Sequence, residues 1–411
     1  QAIPFAHNNV TDCAQPTADF DIMSPMRTVL FFTDVHADVH ALEYVGVCER
    51  VASLGGRVIE IESARTGRSA AEFIAHWQPD GLIVECGHLA EQLNLHAYGH
   101  LPKVFIDPKV TPSKAKTLHI VKQDAAAISA AAFHELAATH PAAYAFVRWC
   151  GNQIWSNERE TAFCELARQA GRECRTYGDV WSRTDFLSFQ RSLTNWLRTL
   201  PRPCAIFAAN DRVAESVLRE TRELALRCPD DVAVLGADDY APVCEKTEPM
   251  LSSVRPDFQR GGELAALMLS AIITYGKNRY RGSHVRRYGT IGITHRDSTR
   301  VYDSSIDGES RAALDLIRRE ACNGLTAETV LGCYSCTRGP AAQRFRRATG
   351  RSILEEIHAV QLDRVKMMLG NKNQQLSSIS DFCGFSSPHA LRLFFLRETG
   401  MTMSEWRRRH T

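Results

Sequence analysis

From residue 26 to about residue 277 the chain repeats one rhythm: a short, almost wholly apolar run, then a longer stretch of helical period. TVLFFT (28–33), GLIVE (81–85) and KVFI (103–106) read as buried strands, as do the runs at 58–61, 144–147, 205–208 and 232–235. Between them, 41–54, 125–139, 158–169 and 211–226 carry helical periodicity with a polar face. A strand that is apolar on both sides must be covered on both sides, and alternating helices supply that cover. The rhythm therefore predicts parallel sheets sandwiched by helices. Roughly 250 residues of it suit two doubly wound lobes better than one.

The remaining bulk properties narrow the setting. At 411 residues the chain exceeds one ordinary domain. No apolar run approaches the roughly 18 residues that span a bilayer, so no membrane contact is expected. The first 25 residues have no basic segment leading into an apolar one. They read as an irregular leader rather than a secretory signal. Thirteen cysteines scattered without a framework spacing fit reduced thiols and a cytoplasmic location. Cys333 and Cys336 form a lone CxxC, and His36 and His40 lack the adjacent Glu of a zinc helix, so neither a metal nor a cofactor is expected.

In doubly wound sheets, ligands settle where loops leave the carboxyl ends of the strands. Here those loops carry Asp34 after the first strand, Asn210-Asp211 after AIFAA and Asp238-Asp239 after VAVLGA, and Arg159 is expected to open the helix that follows 144–147. Carboxylates accept from vicinal hydroxyls, while amide and guanidinium groups donate to hydroxyl and ring oxygens, a set suited to a neutral polyhydroxy ligand. Each Asn or Asp here also stands where a helix cap would, and capping is the competing reading for any one of them. No phosphate-binding loop, G-x-S-x-G elbow or H-E-x-x-H motif occurs, and nothing joins these residues into a nucleophile–base pair. An enzyme is not expected.

The last hundred residues differ. From Glu309 onward there are 16 Lys and Arg against 10 Asp and Glu, while the first 308 residues hold 33 against 37. A basic tail on a mildly acidic body points to a polyanionic partner. This region also repeats itself at an offset of 50. Thr337, Phe345, Arg347, Thr349-Gly350, Ser352 and Glu355 return as Ser387, Phe395, Arg397, Thr399-Gly400, Thr402 and Glu405. Each copy reads as a short helix, a glycine turn and a longer capped helix, the grammar of a helix-turn-helix. A single helix over 353–369, about 25 Å long at 1.5 Å per residue, separates them. The tail is thus expected to be an all-α double helix-turn-helix domain over 309–411. Residues 282–308 are read as a final strand and a linker.

Two resemblances sharpen these expectations. NERETAFCELARQAG, AIFAANDRVAESVL and PDDVAVLGADDYAPVCEKTEPMLSSVRPDFQRGGELAALML resemble the LacI/GalR type of periplasmic-binding-protein-like effector domain, here assigned to 26–281. That family lines its sugar pocket with the Arg, Asn and first Asp of motifs matching Arg159, Asn210 and Asp238; Asp34 is added from its position alone. The chain has no helix-turn-helix ahead of its first strand, so DNA binding is placed elsewhere. GFSSPHALRLFFLRETGMTMSEWRRR resembles the AraC-type signature. It departs from that signature at Ala390-Leu391, Leu393, Leu396 and Met403, and in the first copy at Gly339, Pro340, Ala341 and Ala342. The combination is similar to the bacterial xylose operon regulators. It implies a pentose such as xylose as effector, double-stranded DNA and RNA polymerase as partners, and a homodimeric activator. Arg338, Gln343, His389 and Arg392 are candidates to reach base edges or phosphates, and Arg344, Arg346 and Arg347 to neutralise phosphates. A transport-type sugar-binding protein or a sugar-active enzyme are the competing classes.

Overall fold

The structure is a computed structural model that describes residues 28–33, 40–62, 70–85, 101–108, 118–149, 153–178, 186–279, 282–301, 306–369 and 376–410. Contacts divide the chain into two compact units, 1–301 and 302–411.

The first unit holds twelve described strands. In chain order they are β1 (Thr28–Thr33), β2 (Arg57–Glu62), β3 (Gly81–Glu85), β4 (Lys103–Ile106), β5 (His119–Gln123), β6 (Ala143–Val147), β7 (Cys174–Tyr177), β8 (Cys204–Ala208), β9 (Val232–Ala237), β10 (Ser252–Pro256), β11 (His284–Tyr288) and β12 (Thr290–Thr294). They form two six-stranded sheets, ordered β2-β1-β3-β4-β5-β11 and β7-β6-β8-β9-β10-β12. The first five strands of each follow the same doubly wound path. All pairings are parallel except β10 with β12. The two-lobed α/β expectation is met. Residues of β1, β3, β6, β8 and β9 are buried throughout, because helices cover both faces.

Three strands lay outside the sequence reading: β5, β7 and β10. HIVKQ, CRTY and SSVRP are short and half polar, so neither period nor composition marks them. The single final strand expected after 282 is two strands, one in each sheet. The chain therefore crosses between lobes three times, after β5, after β10 and between β11 and β12. These crossings lie side by side. The Asp124 amide donates to the Tyr288 carbonyl at 2.8 Å, and the Asp257 amide donates to the Gly289 carbonyl at 2.9 Å. Both aspartates then cap the helices that follow, through the amides of Ala127 and Arg260.

Each sheet carries a separate apolar layer on either face. On one face of the first sheet, helices His40–Ser53 and Phe258–Arg279 cross with glycine at the contact. A Cβ on Gly46 would lie 2.0 Å from the Gln259 carbonyl oxygen, and one on Gly262 would lie 1.9 Å from that of Glu43. On the second sheet, Cys164 and Cys174 form a disulfide with Cα atoms 5.3 Å apart, tying helix Ile154–Gln169 to β7. This corrects the expectation that all thiols are reduced. A helix and a neighbouring edge strand bring the two sulfurs together, a proximity that nine intervening residues do not reveal.

The second unit is helical. Helices Ala327–Leu331 and Arg338–Thr349 form the first helix-turn-helix, Leu376–Phe382 and Pro388–Thr399 the second, and Ile353–Leu369 joins them. Ile353 and Ile357 seal the first core around Phe345, while Val365 and Leu369 seal the second around Phe395. The repeated residues prove to be corner pieces. Ser352 with Glu355, and Thr402 with Glu405, exchange side-chain and backbone hydrogen bonds as capping boxes. Gly350 and Gly400 end the longer helices at φ +77° and +70°. Ser387 caps its helix through the Ala390 amide at 3.2 Å, whereas Thr337 makes no side-chain cap.

Replacing Gly262 with Ala is expected to force the two crossing helices apart and to cost about 1–3 kcal/mol. A lowered thermal or denaturant midpoint of the full chain is the measurement; an unchanged midpoint would show that the crossing yields without cost.

Candidate functional site

Arg159 is the largest fully buried side chain of the first unit, with 1% exposure. It lies in the second turn of helix Ile154–Gln169 rather than at its opening, because the helix starts four residues earlier than the sequence reading placed it. A buried guanidinium must find partners or bring a large desolvation cost. Its partners come from three places: the Ala209 carbonyl after β8, the Gln123 side-chain oxygen at the end of β5, and Asp238 Oδ1 at 3.5 Å after β9. The Trp155 ring lies 5.1 Å from the guanidinium carbon. Arg159 Nε has no hydrogen-bond partner among the described residues.

Gln123 belongs to the other lobe, so this contact spans the cleft. It is itself fixed by Asp107, which accepts from its backbone amide at 2.8 Å and from its side-chain amide at 3.2 Å. Asp107 in turn accepts from the Tyr288 hydroxyl at the crossing between lobes, and that hydroxyl also lies 3.1 Å from Glu43 Oε1. Burial and then the two carboxylates keep the Tyr288 phenol protonated, well above its usual range. One residue away, Lys122 and Glu158 pair across the cleft at 2.5 Å. A cavity of about 160 Å³ opens here, with Asp107, Lys122, Gln123, Trp155, Glu158 and Arg159 among its lining.

Asp238 is aimed by strained backbone. Its φ is +103° and that of Asp239 is +52°, a region that side-chain-bearing residues rarely enter. The turn is held by Asp211, whose carboxylate accepts from the Tyr240 amide at 2.7 Å and the Ser253 hydroxyl at 2.6 Å. Asp239 leaves the cleft to pair with buried Arg296 at 2.8 Å. Asn210 sits at the same strand ends, but its side-chain oxygen caps the next helix through the Val213 amide at 3.1 Å. Thus Arg159 and Asp238 are brought together and Asn210 is a neighbour with its oxygen committed. Asp34 lies outside the described residues. Gln123, Asp107, Lys122, Trp155 and Glu158 escaped the sequence reading. Three of them stand on or beside β5 and β4, and the polar run HIVKQ hid the strand whose end they mark.

In the second unit, Arg338, Gln343, Arg346, Arg347, His389 and Arg392 are exposed on the two longer helices. Arg338 is 3.9 Å from Glu328. Arg344 is placed differently: its guanidinium pairs with Asp307 at 2.8 Å and Glu309 at 2.5 Å and lies over the Tyr334 ring, so its charge is matched within the unit. Leu393 and Leu396, standing where the resembled signature has Arg and Lys, are exposed.

Two domain families match the chain: a periplasmic binding protein-like domain over residues 130–299 and a helix-turn-helix domain over residues 334–409. The chain thus carries a periplasmic binding protein-like domain followed by a helix-turn-helix domain. It is 27% identical over 254 residues to the xylose operon regulatory protein of Escherichia coli (strain K12), covering 62% of this chain and 64% of that protein. The Haemophilus influenzae counterpart gives 27%, 62% and 65%. The match thus spans less than two thirds of those relatives. The tail alone is 36% identical over 73 residues to the HTH-type transcriptional activator RhaR of Escherichia coli O1:K1 / APEC, covering 18% of this chain and 26% of that protein. Among solved structures, that of the xylose-binding transcription activator xylR aligns with a TM-score of 0.64 and 22% identity, over 95% of this chain and all of that one. The CelR–cellobiose complex aligns at 0.53 and 21%, over 67% and 86%. At such identities the structures share the fold. The relatives named here are transcriptional regulators, not enzymes. No described helix is long and apolar enough to cross a membrane.

Burial, and then the charge of Asp238, push the Asp211 carboxyl up to about 8. Between the unfolded carboxyl range, near ~3.9, and about 8, the native state keeps a proton that the unfolded chain has released. Stability contributed by this group therefore falls as pH rises through that window and levels off above it. Asp211→Asn, which keeps both hydrogen-bond positions filled, is expected to flatten that fall in denaturant titrations between pH 5 and pH 8. An undiminished slope would remove Asp211 as its source.

Proposed function

We propose that this chain is a sequence-specific transcriptional regulator controlled by a sugar, xylose or a related pentose, held between the two lobes of its first unit. The observation that carries the reading is the Arg159 guanidinium, which joins Asp238 of one lobe to Gln123 of the other beside a small polar-rimmed cavity. Vicinal hydroxyls donate to carboxylates and accept from guanidinium and amide donors, so a polyol replaces those cross-lobe contacts one for one. Its differential affinity for one lobe arrangement is what shifts the population. The printed function of the relatives supports the same ligand class.

The tail meets double-stranded DNA through the two longer helices of its helix-turn-helix pair. Arg346, Arg347 and Arg392 are assigned to phosphates, and Arg338, Gln343 and His389 to base edges. Arg344, paired with Asp307 and Glu309, is not assigned a contact. The regulator works as a homodimer in the cytoplasm and activates by engaging RNA polymerase, as the AraC-type resemblance implies. A transport-type binding protein has no use for the helix-turn-helix pair, and an enzyme would require a catalytic set that the cleft residues do not form.

Xylose is expected to raise the thermal midpoint of the full chain, and Asp238→Ala to weaken that response by about 10- to 100-fold in concentration, the worth of a charge-assisted hydrogen bond of about 1.5–3 kcal/mol. A monosaccharide panel in which no sugar stabilises the protein would refute the effector assignment. Separately, Arg347→Ala is expected to weaken attachment to duplex DNA evenly across sequences and to lower the slope of log affinity against log salt by about 1. Salt-insensitive attachment by the unaltered chain would refute the DNA assignment.

A further inference from the structure

The second unit places two thiols together where its two helix-turn-helix halves meet. Helix Gly308–Glu320 ends in a turn bearing Cys322, and the glycine turn of the second helix-turn-helix bears Cys383. Gln361, on the joining helix, clamps both turns. Its side-chain amide donates to the Ala321 carbonyl at 2.9 Å and reaches the Cys383 carbonyl at 3.4 Å. The next residue, Gly384, has φ +76°, and a Cβ there would lie 2.3 Å from the Cys322 carbonyl oxygen. The backbones are thus packed as closely as a glycine permits, and the two thiols are near enough to shift one another's ionisation.

Their surroundings differ in a way that assigns roles. Cys322 is half-buried at the margin of the second core, whereas Cys383 is fully buried, with its sulfur 3.7 Å from that of Met368. The adjacent Cys383 thiol, helped by the Arg364 charge, holds the Cys322 thiol below its ordinary range. The nearness of Cys322, and then burial, push the Cys383 thiol up. A reachable thiol that ionises readily beside a second one is the arrangement of an attacking and a resolving cysteine.

We propose that Cys322 and Cys383 form a peroxide-oxidisable dithiol, a modification site separate from the interlobe cleft. The Cys322 thiolate attacks one oxygen of hydrogen peroxide, the O–O bond breaks, and the departing hydroxide takes up a proton as water, leaving a sulfenic acid on Cys322. The Cys383 sulfur then attacks that sulfur and releases its own proton, and the hydroxyl leaves with it as a second water. Two thiols are oxidised to one disulfide while one peroxide is reduced to two waters. The new bond staples the first helix of the unit to the turn that sets the second helix-turn-helix.

The test uses the full chain, treated with dilute hydrogen peroxide, alkylated, digested and mapped by mass spectrometry. The expected product is a Cys322–Cys383 cross-linked peptide pair two hydrogens lighter than the separate peptides. Its Cys322 thiol should be lost faster than that of Cys48, whose thiol burial pushes up, since the thiolate is the reacting form. Cys383→Ser should instead leave a Cys322 sulfenic acid that a 1,3-dione traps. Cys322→Ser should leave Cys383 open to alkylation after denaturation. Cross-links that join either residue to a different cysteine, or a Cys322 that reacts no faster than Cys48, would overturn the assignment. The unaltered chain decides the matter even where a variant fails to fold.

Discussion

A positive charge with 1% exposure has to be answered by the protein around it, and much of the first unit is arranged as that answer. Arg159 is met by a carbonyl after β8, a carboxylate after β9 and an amide oxygen from the opposite lobe. Removing any of these leaves a desolvated cation, so the lobes share one polar group that neither satisfies alone. The arrangement extends backwards from Gln123 through Asp107 to Tyr288, which stands at a crossing between lobes. The cleft residues and a segment that crosses between the lobes are consequently joined by hydrogen bonds rather than by packing alone.

The turn at Asp238 shows the same logic on a smaller scale. Positive φ at two successive aspartates is unfavourable backbone, and it persists because Asp211, buried and protonated, receives the Tyr240 amide and the Ser253 hydroxyl beneath it. Gly236 makes room for that carboxyl, since a Cβ there would lie 2.2 Å from Asp211 Oδ1. The A-N-D and G-x-D-D motifs are therefore two halves of a single support. Asn210 contributes a cap, Asp211 a prop, Asp238 a cleft carboxylate and Asp239 a partner for Arg296.

In the second unit the repeat divides into architecture and contact. Phe345 and Phe395 fill equivalent cores, and the Ser352–Glu355 and Thr402–Glu405 boxes start equivalent helices. The outward positions are less alike. Arg344 is absorbed by Asp307 and Glu309, and its counterpart Phe394 is apolar and packs against Phe385 at 4.9 Å between ring centres. Conserving corners while varying faces lets one scaffold present two different surfaces.

The amino-acid order alone determined the lobed α/β class, the helical tail, its internal repeat and the two residues, Arg159 and Asp238, that meet in the cleft. Those features are written in local periodicity, in caps and in motif spacing, which a chain displays without folding. Tertiary structure decided what depends on distant groups coming together. It revealed β5, whose polar residues are stabilised by pairing with β4 and β11 and not by their own pattern. It placed Gln123 against Arg159, spent Arg344 on two nearby acids, and joined Cys164 to Cys174. A side chain's availability is set by whatever the fold lays beside it, and only three-dimensional proximity fixes that.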